Sequence, residues 1–349
     1  MNPAALVACA NALVGSGKGL LAMDESNPTC NRRFAVFGIA QTVEMRRAWR
    51  ELLITALGLG DSISGAILYD ETIRQNDRNG RRFVDCLTDV GIIPGIKVDT
   101  GAKPLALHEG EKVTEGLDGL RDRLAEYAGL GARFAKWRAV IGLDGDHPSA
   151  ACIRANMQAL ARYAALCQEA GIVPIVEPEV LMEGFHPLER SRAITGEVLT
   201  ALFGELRVQG VLLEGVILKP NMVLAGLDCP IQEPVQAVAD ATIECLLQSV
   251  PPSTAGVAFL SGGQPAVLAS ARLNAMNDRT INDRTPWPLV FSFARALQQP
   301  ALELWRGKEP NVTVAQQALI HRARSNHAAL RGAYDASAET DVSYRKASW

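Results

Sequence analysis

Several features that would place this chain in a large functional class are missing from its sequence. No apolar run reaches the roughly 20 residues that a membrane helix needs. No long basic run is present, and the net charge is only −3. The sequence therefore argues against a membrane or a nucleic acid as the main partner. The Gly-x-Gly-x-x-Gly fingerprint, the Walker loop and the nucleophilic serine elbow are missing as well.

Histidine and cysteine are distributed in ways that limit the chemistry further. The five histidines lie away from every predicted strand end and form no His-x-x-x-His pair, which argues against a catalytic zinc site. The seven cysteines are dispersed without a Cys-x-x-Cys pair. Such a set predicts reduced, mostly buried thiols in a cytoplasmic protein. The sequence thus predicts neither a metal nor a cofactor.

Short apolar runs recur through the 349 residues at intervals of roughly 30–45 residues, the spacing of successive βα units. The runs predicted to be strands are 20–23, 65–68, 95–98, 132–135, 173–176, 215–218, 257–260 and 289–292. The segments predicted to be helices are 41–58, 117–130, 149–170, 187–207, 234–248 and 313–330.

This alternation predicts an α/β chain folded as a closed (β/α)8 TIM barrel over residues 1–331. A doubly wound open sheet is the alternative, and the missing glycine fingerprint counts against it. The segment 332–349 is small and polar with few aliphatic residues, so we predict a mobile C-terminal tail there.

Charged and polar residues follow the predicted strands, at the barrel edge that carries catalytic residues. Lys136 with Arg138, and Glu177 with Glu179, lie two positions apart, so each pair points to one side of its strand. Lys219 closes an apolar run, where a lysine is costly unless it is neutral, paired or chemically used. The other residues at these ends are Asp24, Glu25, Ser26, Asp70, Glu71, Lys97, Asp99, Ser261, Ser292 and Arg295.

A lysine at the centre of such a ring indicates imine chemistry on a carbonyl substrate. The amine must lose its proton to attack, and both burial and a neighbouring cation such as Lys136 disfavour the ammonium form. Glu177 could then pass protons as the carbinolamine forms and loses water. The alternative is a structural ion pair between Lys219 and Glu177, and for a single acid such as Asp70 or Asp99 a structural role is the simpler interpretation.

The segment 261–263, Ser-Gly-Gly, follows a predicted strand and precedes a helical segment. Glycines let backbone N–H groups approach an anion, and a helix N-terminus favours negative charge. We therefore predict a phosphate site here, completed by Arg295, although the same tripeptide also forms ordinary tight turns. Lys97, Ser26 and Thr29 are candidates for a second phosphate site across the mouth.

Six motifs together resemble the class I (Schiff-base) fructose-bisphosphate aldolases. In chain order they are LAMDESN at 21–27, GIKVD at 95–99, FAKWR at 134–138, GIVPIVEPE at 171–179, LKPNMV at 218–223 and FLSGGQ at 259–264. They occur in family order over nearly the whole chain. The Asp-Glu-Ser-Asn-x-Thr-Cys variant is closer to the plant and cyanobacterial branch.

The resemblance implies a metal-independent lyase without a cofactor, acting on a sugar bisphosphate as a homotetramer. Lys219 would form the imine with the ketose C2, and Glu177 would be its acid and base. Lys136 would stabilise charge, and Asp24 would take the proton of the C4 hydroxyl. The further catalytic acid and the substrate contacts implied by the family pattern are Glu179, Ser26, Thr29, Arg33, Lys97, Arg138, Ser261, Gly262, Gly263, Ser292 and Arg295.

The chain departs from the family pattern at three places. The family commonly ends in a tyrosine whose hydroxyl handles the C3 proton, whereas this chain ends in Trp349 with Tyr344 nearby. Ala294 stands where the family usually has glycine, and Pro28 stiffens the loop after Asp24.

Three hypotheses follow from these residues. The first is reversible cleavage of fructose 1,6-bisphosphate to dihydroxyacetone phosphate and glyceraldehyde 3-phosphate. The second is a related imine-forming activity, such as transaldolase or cleavage of sedoheptulose 1,7-bisphosphate; two phosphate sites favour a bisphosphate over a monophosphate. The third is a non-catalytic barrel that acts as a scaffold, and the presence of Lys219, Glu177 and Asp24 opposes it.

Overall fold

A computed structural model describes residues 2–278 and 285–339. Within them, eight parallel strands close into one barrel, and two further strands form an antiparallel hairpin after the third barrel strand. The strands are β1 (Gly19–Ala22), β2 (Ile63–Leu68), β3 (Ile93–Lys97), β4 (Gly101–Pro104), β5 (Lys112–Glu115), β6 (Phe134–Ile141), β7 (Val173–Val180), β8 (Ile217–Leu218), β9 (Gly256–Phe259) and β10 (Leu289–Phe293). Around the barrel the order is β1-β10-β9-β8-β7-β6-β3-β2.

Helices alternate with the barrel strands and cover the outside of the barrel. They are α1 (Pro3–Val14), α2 (Asn27–Val36), α3 (Val43–Ile54), α4 (Asp70–Ile73), α5 (Phe83–Asp89), α6 (Leu120–Leu130), α7 (Ala150–Glu169), α8 (Leu188–Val208), α9 (Val235–Ser249), α10 (Ala266–Met276), α11 (Arg295–Trp305) and α12 (Val312–Ala329). The (β/α)8 barrel is confirmed, and each predicted strand overlaps a barrel strand. β1 pairs with both β2 and β10, so the sheet has no free edge and the open-sheet alternative is excluded.

The β4–β5 hairpin and the helices α1, α2, α4, α5 and α11 were not predicted from the sequence. The signals for α1 were present. The Asn2 side chain accepts a hydrogen bond from the backbone N–H of Ala5 at 3.3 Å, and Pro3 is the first helical residue. Both are typical of a helix start. The period of α1 was hidden because alanines also occupy its exposed side, whereas only Leu6, Ala10, Leu13 and Val14 are buried.

Alternate residues of the barrel strands fill its interior with a hydrophobic layer. On β7, Val173 and Ile175 belong to this layer, and the next two residues on the same face are Glu177 and Glu179. The same change from apolar to polar occurs on four other strands, at Ala22 to Asp24, Phe134 to Lys136, Ile217 to Lys219 and Val290 to Ser292. Because residues two apart share a face, the interior side chains of each of these strands are apolar at the floor of the barrel and polar at its mouth.

At the floor of the barrel, the ring of Phe134 packs against two glycines, Gly95 and Gly65. A Cβ atom at Gly95 would lie 2.3 Å from the ring of Phe134, and a Cβ atom at Gly65 would lie 3.1 Å from the same ring. The interior is packed without room for the extra atoms, so a side chain at position 95 would displace the ring. Leu6 and Leu13 of α1 are buried in the same cluster and cover the floor from the amino end.

The beginning of the predicted tail lies against the helical layer. The backbone N–H of Tyr334 donates to Asn274 Oδ1 on α10 at 2.8 Å, and Glu339 contacts Arg322 on α12. Residues 340–349, including Tyr344 and Trp349, lie outside the described residues. The division into a barrel over 1–331 and a mobile tail over 332–349 stays a prediction. None of the helices described within 2–278 and 285–339 combines the length and the hydrophobicity that a membrane crossing requires.

Candidate active site

A cavity of about 370 Å³ opens at the carboxyl ends of the barrel strands. Most of the predicted site residues line this cavity, and they come from seven of the eight barrel strands or from the loops that follow them. These residues are Asp24, Ser26, Thr29, Lys97, Lys136, Arg138, Glu177, Glu179, Lys219, Ser261, Gly262, Ser292 and Arg295.

Four charged side chains form one continuous chain of ion pairs at the base of the cavity. Lys219 Nζ lies 3.1 Å from Glu177 Oε1, and Glu177 Oε2 lies 3.2 Å from Lys136 Nζ. Lys136 Nζ also lies 2.7 Å from Asp24 Oδ2. All four residues are at most 8 % exposed. In such a buried setting, charges interact strongly, and each carboxylate is placed within proton-transfer distance of an amine.

The charges in this chain fix the protonation state of its carboxylates. Burial by itself would raise the pKa of Asp24, but the charges of Lys136, Lys219 and Lys97 outweigh it and lower the pKa to about 2. Burial likewise opposes a charged Glu177, yet Lys136 and Lys219 hold its pKa below the usual range. The pKa of Lys136 is raised despite burial, because Asp24 and Glu177 face it. Lys136 is therefore a fixed cation at neutral pH between two carboxylates.

The stability of the protein in acid should report on Asp24. Its folded pKa of about 2 lies below the ordinary value of 3.8, so the unfolded chain takes up the proton first as the pH falls. The resulting stabilisation, about 2 kcal/mol, is fully present above about pH 5 and is lost as the pH falls through about pH 2. We expect urea unfolding between pH 2 and 5 to show a shallower pH dependence in Asp24→Asn than in the unsubstituted protein. Equal slopes would contradict this assignment.

Two further ion pairs line the wall above the central chain. Arg138 pairs with Glu179. Arg138 lies two residues after Lys136 on β6, and Glu179 lies two residues after Glu177 on β7. Lys97 Nζ lies 2.7 Å from Asp99 Oδ1 and donates to the backbone oxygen of Asp99 at 2.6 Å. Asp99, for which a structural role was the simpler interpretation, thus lines the cavity and holds Lys97 in place.

On one side of the mouth, the loop after β9 and the start of α11 form a cradle for an anion. Gly262 and Gly263 have positive φ values of 55° and 96°, a conformation that favours glycine. A Cβ atom at Gly263 would lie 3.1 Å from the guanidinium of Arg295, so the glycine permits this close approach. Arg295 is the first residue of α11, and the buried Ser292 Oγ has no hydrogen-bond partner within the described residues. A glycine-rich loop, an arginine and free donors are suited to a phosphate.

A second group of donors lies on another side of the mouth. Ser26 precedes α2, and its Oγ lies 3.1 Å from Thr29 Oγ1, with Lys97 on the nearby β3. Arg33, another predicted contact, lies behind the cavity wall. It pairs there with Glu25 and donates to Gln298 Oε1 at 3.0 Å.

Two acids that follow a predicted strand, Asp70 and Glu71, do not line the cavity in the structure. Asp70 follows β2 at a strand end, yet it points away from the cavity, accepting hydrogen bonds from Arg74 and from the Tyr127 hydroxyl at 2.9 Å. Glu71 is likewise bound outside the cavity by Arg46, at 2.7 Å. Both belong to the short helix α4, so their side chains do not follow the alternating directions of the strand before it.

Tyr69, Gly101 and Ala102 also line the cavity and were not predicted as site residues from the sequence. Gly101 and Ala102 belong to the unpredicted hairpin. Tyr69 directly follows β2, so its place at a strand end was the available signal. Its hydroxyl has no hydrogen-bond partner within the described part of the chain. β2 lies diametrically opposite β8 in the barrel, so Tyr69 follows the strand that is farthest around the barrel from the strand that carries Lys219.

Comparison with known proteins identifies similar chains of one kind. A sequence model described as fructose-bisphosphate aldolase class-I matches residues 5–348. The probable fructose-bisphosphate aldolase class 1 of Xylella fastidiosa (strain 9a5c) is 54% identical over 328 residues, which cover 94% of this chain and 97% of the relative. The chloroplastic fructose-bisphosphate aldolase 3 of Arabidopsis thaliana is 46% identical over 336 residues, which cover 96% of this chain and 85% of the relative.

A solved structure shows the same architecture. The fructose-bisphosphate aldolase of Plasmodium falciparum, crystallised with TRAP and a small-molecule inhibitor, superposes with a TM-score of 0.93 at 44% identity. The match covers 95% of this chain and 96% of that chain.

Proposed function

This chain belongs to the class-I fructose-bisphosphate aldolase family, and from that premise we propose that Lys219 forms the imine through which it acts. The protein is a fructose-bisphosphate aldolase, a lyase of the metal-independent class, and its substrate is a sugar bisphosphate. The observation that supports the assignment of Lys219 is the buried chain of ion pairs that joins it through Glu177 and Lys136 to Asp24.

The first half of the reaction is imine formation at Lys219. The uncharged amine attacks C2 of the open-chain ketose, and the carbonyl oxygen takes up a proton to give a carbinolamine. Glu177, 3.1 Å from the amine, accepts the proton that nitrogen releases and returns one to the departing hydroxyl, which leaves as water. The product is a protonated imine, which withdraws electrons from the adjacent bond.

The second half is cleavage of the bond between C3 and C4. Asp24 accepts the proton of the C4 hydroxyl, and the electrons of the broken bond move into the imine to give an enamine. Glyceraldehyde 3-phosphate leaves, and protonation at C3 followed by hydrolysis releases dihydroxyacetone phosphate. Lys136 stays positively charged between Asp24 and Glu177 throughout and stabilises each carboxylate in its ionised form, before it takes up a proton and after it releases one.

Two separate groups of donors fit the two phosphates of the substrate. The cradle formed by Ser261, Gly262 and Arg295 would bind the C1 phosphate, because β9 is the neighbour of β8 and therefore lies beside Lys219. Ser26 and Lys97 would bind the C6 phosphate on the other side.

Borohydride trapping tests the assignment of the nucleophile. With dihydroxyacetone phosphate present, reduction should fix a covalent adduct on the peptide that contains Lys219, and the same sample without borohydride should contain none. Addition of EDTA should leave both trapping and cleavage unchanged. An adduct on another lysine, or no adduct together with inhibition by EDTA, would falsify the mechanism.

Tyr69 should contribute to binding of the substrate end remote from Lys219. Its hydroxyl has no hydrogen-bond partner among residues 2–278 and 285–339, and β2, which Tyr69 follows, is the barrel neighbour of β3, whose last residue is Lys97. In Tyr69→Phe, we expect KM for fructose 1,6-bisphosphate to rise about tenfold or more, the value of one hydrogen bond to a charged group, with little change in kcat. KM for fructose 1-phosphate, which has no C6 phosphate, should not change.

Tyr127→Phe is the matched control for this prediction, because the Tyr127 hydroxyl binds Asp70 outside the cavity. It should leave KM for both substrates unchanged. An equal rise in KM for both substrates in Tyr69→Phe would contradict the prediction, because it would mean that the substitution disturbs the fold and not the contact with the C6 phosphate.

We also propose a cytoplasmic homo-oligomer, a tetramer by resemblance to the family. Support for the oligomer comes from large apolar side chains that are exposed on the described surface, including Phe185 at 74% and Ile231 at 70%. Light scattering should give about four times the chain mass of 37.5 kDa, and a monomer would contradict the proposal.

Support for the cytoplasmic location comes from seven free thiols and from a cytosolic relative in Arabidopsis thaliana. Recovery with the membrane pellet would contradict it.

A further inference from the structure

Glu339 is a buried carboxylate that lies outside the cavity and that the mechanism does not use. It is 6% exposed and is bound by three side chains. Arg322 donates to its Oε1, the Tyr334 hydroxyl donates to the same oxygen at 3.1 Å, and His321 Nε2 lies 3.0 Å from its Oε2. We refer to these four residues, His321, Arg322, Tyr334 and Glu339, as the Glu339 cluster. Burial opposes the charge on Glu339, but these partners lower its pKa to about 2, so it is ionised at neutral pH.

Arg322 connects this carboxylate to the first turns of two helices. It is only 2% exposed, and its Nη2 donates to the backbone oxygen of Ala266 at 2.9 Å. Its Nε donates to the backbone oxygen of Ala296 at 3.3 Å. Ala266 is the first residue of α10, and Ala296 is the second residue of α11. One guanidinium therefore holds both helix starts, and Glu339 is the one carboxylate within ion-pair distance of it among the described residues.

The same two helix starts carry the proposed phosphate cradle. Gly262 and Gly263 lie in the loop that leads into α10, three to four residues before its start, and Arg295 is the first residue of α11, next to Ala296. The guanidinium of Arg295 packs against Gly263, and both residues also line a second cavity of about 390 Å³ between the two helix starts. The relative position of α10 and α11 thus sets the distance between the glycine loop and Arg295.

We propose that the Glu339 cluster positions the phosphate cradle, so that Glu339 is a positioning residue for binding of the C1 phosphate. The inference rests on the proposed function of Ser261, Gly262 and Arg295. Removing the charge of Glu339 leaves the guanidinium of Arg322 buried without a counter-ion, which is unfavourable. Arg322 then reorganises, and the tether between α10 and α11 is lost. A displacement well below 1 Å is enough to weaken a multidentate contact to an anion.

The substitution Glu339→Gln tests the proposal because it keeps the shape of the side chain. Borohydride trapping on Lys219 is measured with dihydroxyacetone phosphate, which the cradle would bind, and with dihydroxyacetone, which has no phosphate. The concentration for half-maximal trapping of dihydroxyacetone phosphate should rise about tenfold or more, the value of one charge-assisted hydrogen bond. The concentration for dihydroxyacetone should not change, because the imine-forming residues are untouched.

Two further variants keep the test decisive. Tyr334→Phe removes a single hydrogen bond to Glu339 and should shift the value for dihydroxyacetone phosphate by about twofold in the same direction. Asp335→Asn is the matched control, because Asp335 is exposed and binds Ser337 instead of the cluster. It should change neither value. If thermal unfolding shows that Glu339→Gln does not fold, the result for Tyr334→Phe decides.

The outcomes separate this inference from the function on which it depends. An unchanged value for dihydroxyacetone phosphate in the folded variants would overturn the inference, and so would an equal rise for both ligands. If the unsubstituted protein binds the two ligands equally, or forms no adduct on Lys219, the proposed cradle or nucleophile is itself wrong and the inference falls with it.

Discussion

Replacing Lys219 with methionine should abolish cleavage of fructose 1,6-bisphosphate. Methionine has a similar length but no amine, so the imine cannot form and no electron sink is available for the breaking bond. We expect kcat to fall by about four orders of magnitude or more, as when the nucleophile of an enzyme is deleted. The measurement is the coupled rate of triose phosphate formation at saturating substrate.

The fold should survive this substitution. Glu177, the partner of Lys219, keeps its second cation because Lys136 Nζ lies 3.2 Å from its Oε2. Lys308→Met is the matched control, since Lys308 is an exposed lysine in the turn that precedes α12. It should retain full activity. Cleavage by Lys219→Met at the original rate would refute the imine mechanism.

Replacing Asp24 with asparagine should separate the two halves of the reaction. Asparagine keeps the shape of the side chain but cannot accept the proton of the C4 hydroxyl. We expect kcat for cleavage to fall by about 10²- to 10⁴-fold, the usual contribution of a general base. Borohydride trapping of dihydroxyacetone phosphate on Lys219 should persist, because Glu177 remains beside the amine.

The control for this prediction is Asp70→Asn. Asp70 also follows a barrel strand, but it is bound by Arg74 and Tyr127 outside the cavity, so its loss should leave kcat unchanged. If trapping in Asp24→Asn falls as steeply as cleavage, Asp24 acts before the carbon–carbon bond breaks, and its assigned role is wrong.

The barrel and its polar mouth could be predicted because both follow from local patterns. The eight apolar runs repeat at the spacing of βα units, and residues two apart on a strand share a face whatever the strand pairs with. Lys136 with Arg138, and Glu177 with Glu179, were therefore placed correctly at one edge. The hairpin β4–β5 was missed because its strands are only four residues long and largely exposed, so they lack the apolar run that identifies a barrel strand.

The partners within the site could not be predicted in the same way. Asp24 and Lys136 form an ion pair across the mouth, although their strands, β1 and β6, are not neighbours in the barrel. From the sequence, Asp70 and Asp99 were both acids at a strand end for which a structural role was the simpler interpretation. In the structure, α4 turns Asp70 away from the cavity, whereas Asp99 lines the cavity and pairs with Lys97. Such contacts depend on the register of eight strands and on the helices around them, and no local period encodes that register.

By itself, the sequence determined that a lysine ends a buried strand among acids, and the alternation of the strands determined that these groups share one edge. Their spacing and their motifs were sufficient to predict the chemistry. Tertiary structure alone decided the order of the charges, with Lys136 between Asp24 and Glu177, and the tether from Glu339 to the two helix starts. The reason is physical: the direction of a side chain follows from the covalent geometry of its own strand, whereas its partner is set by long-range closure and packing.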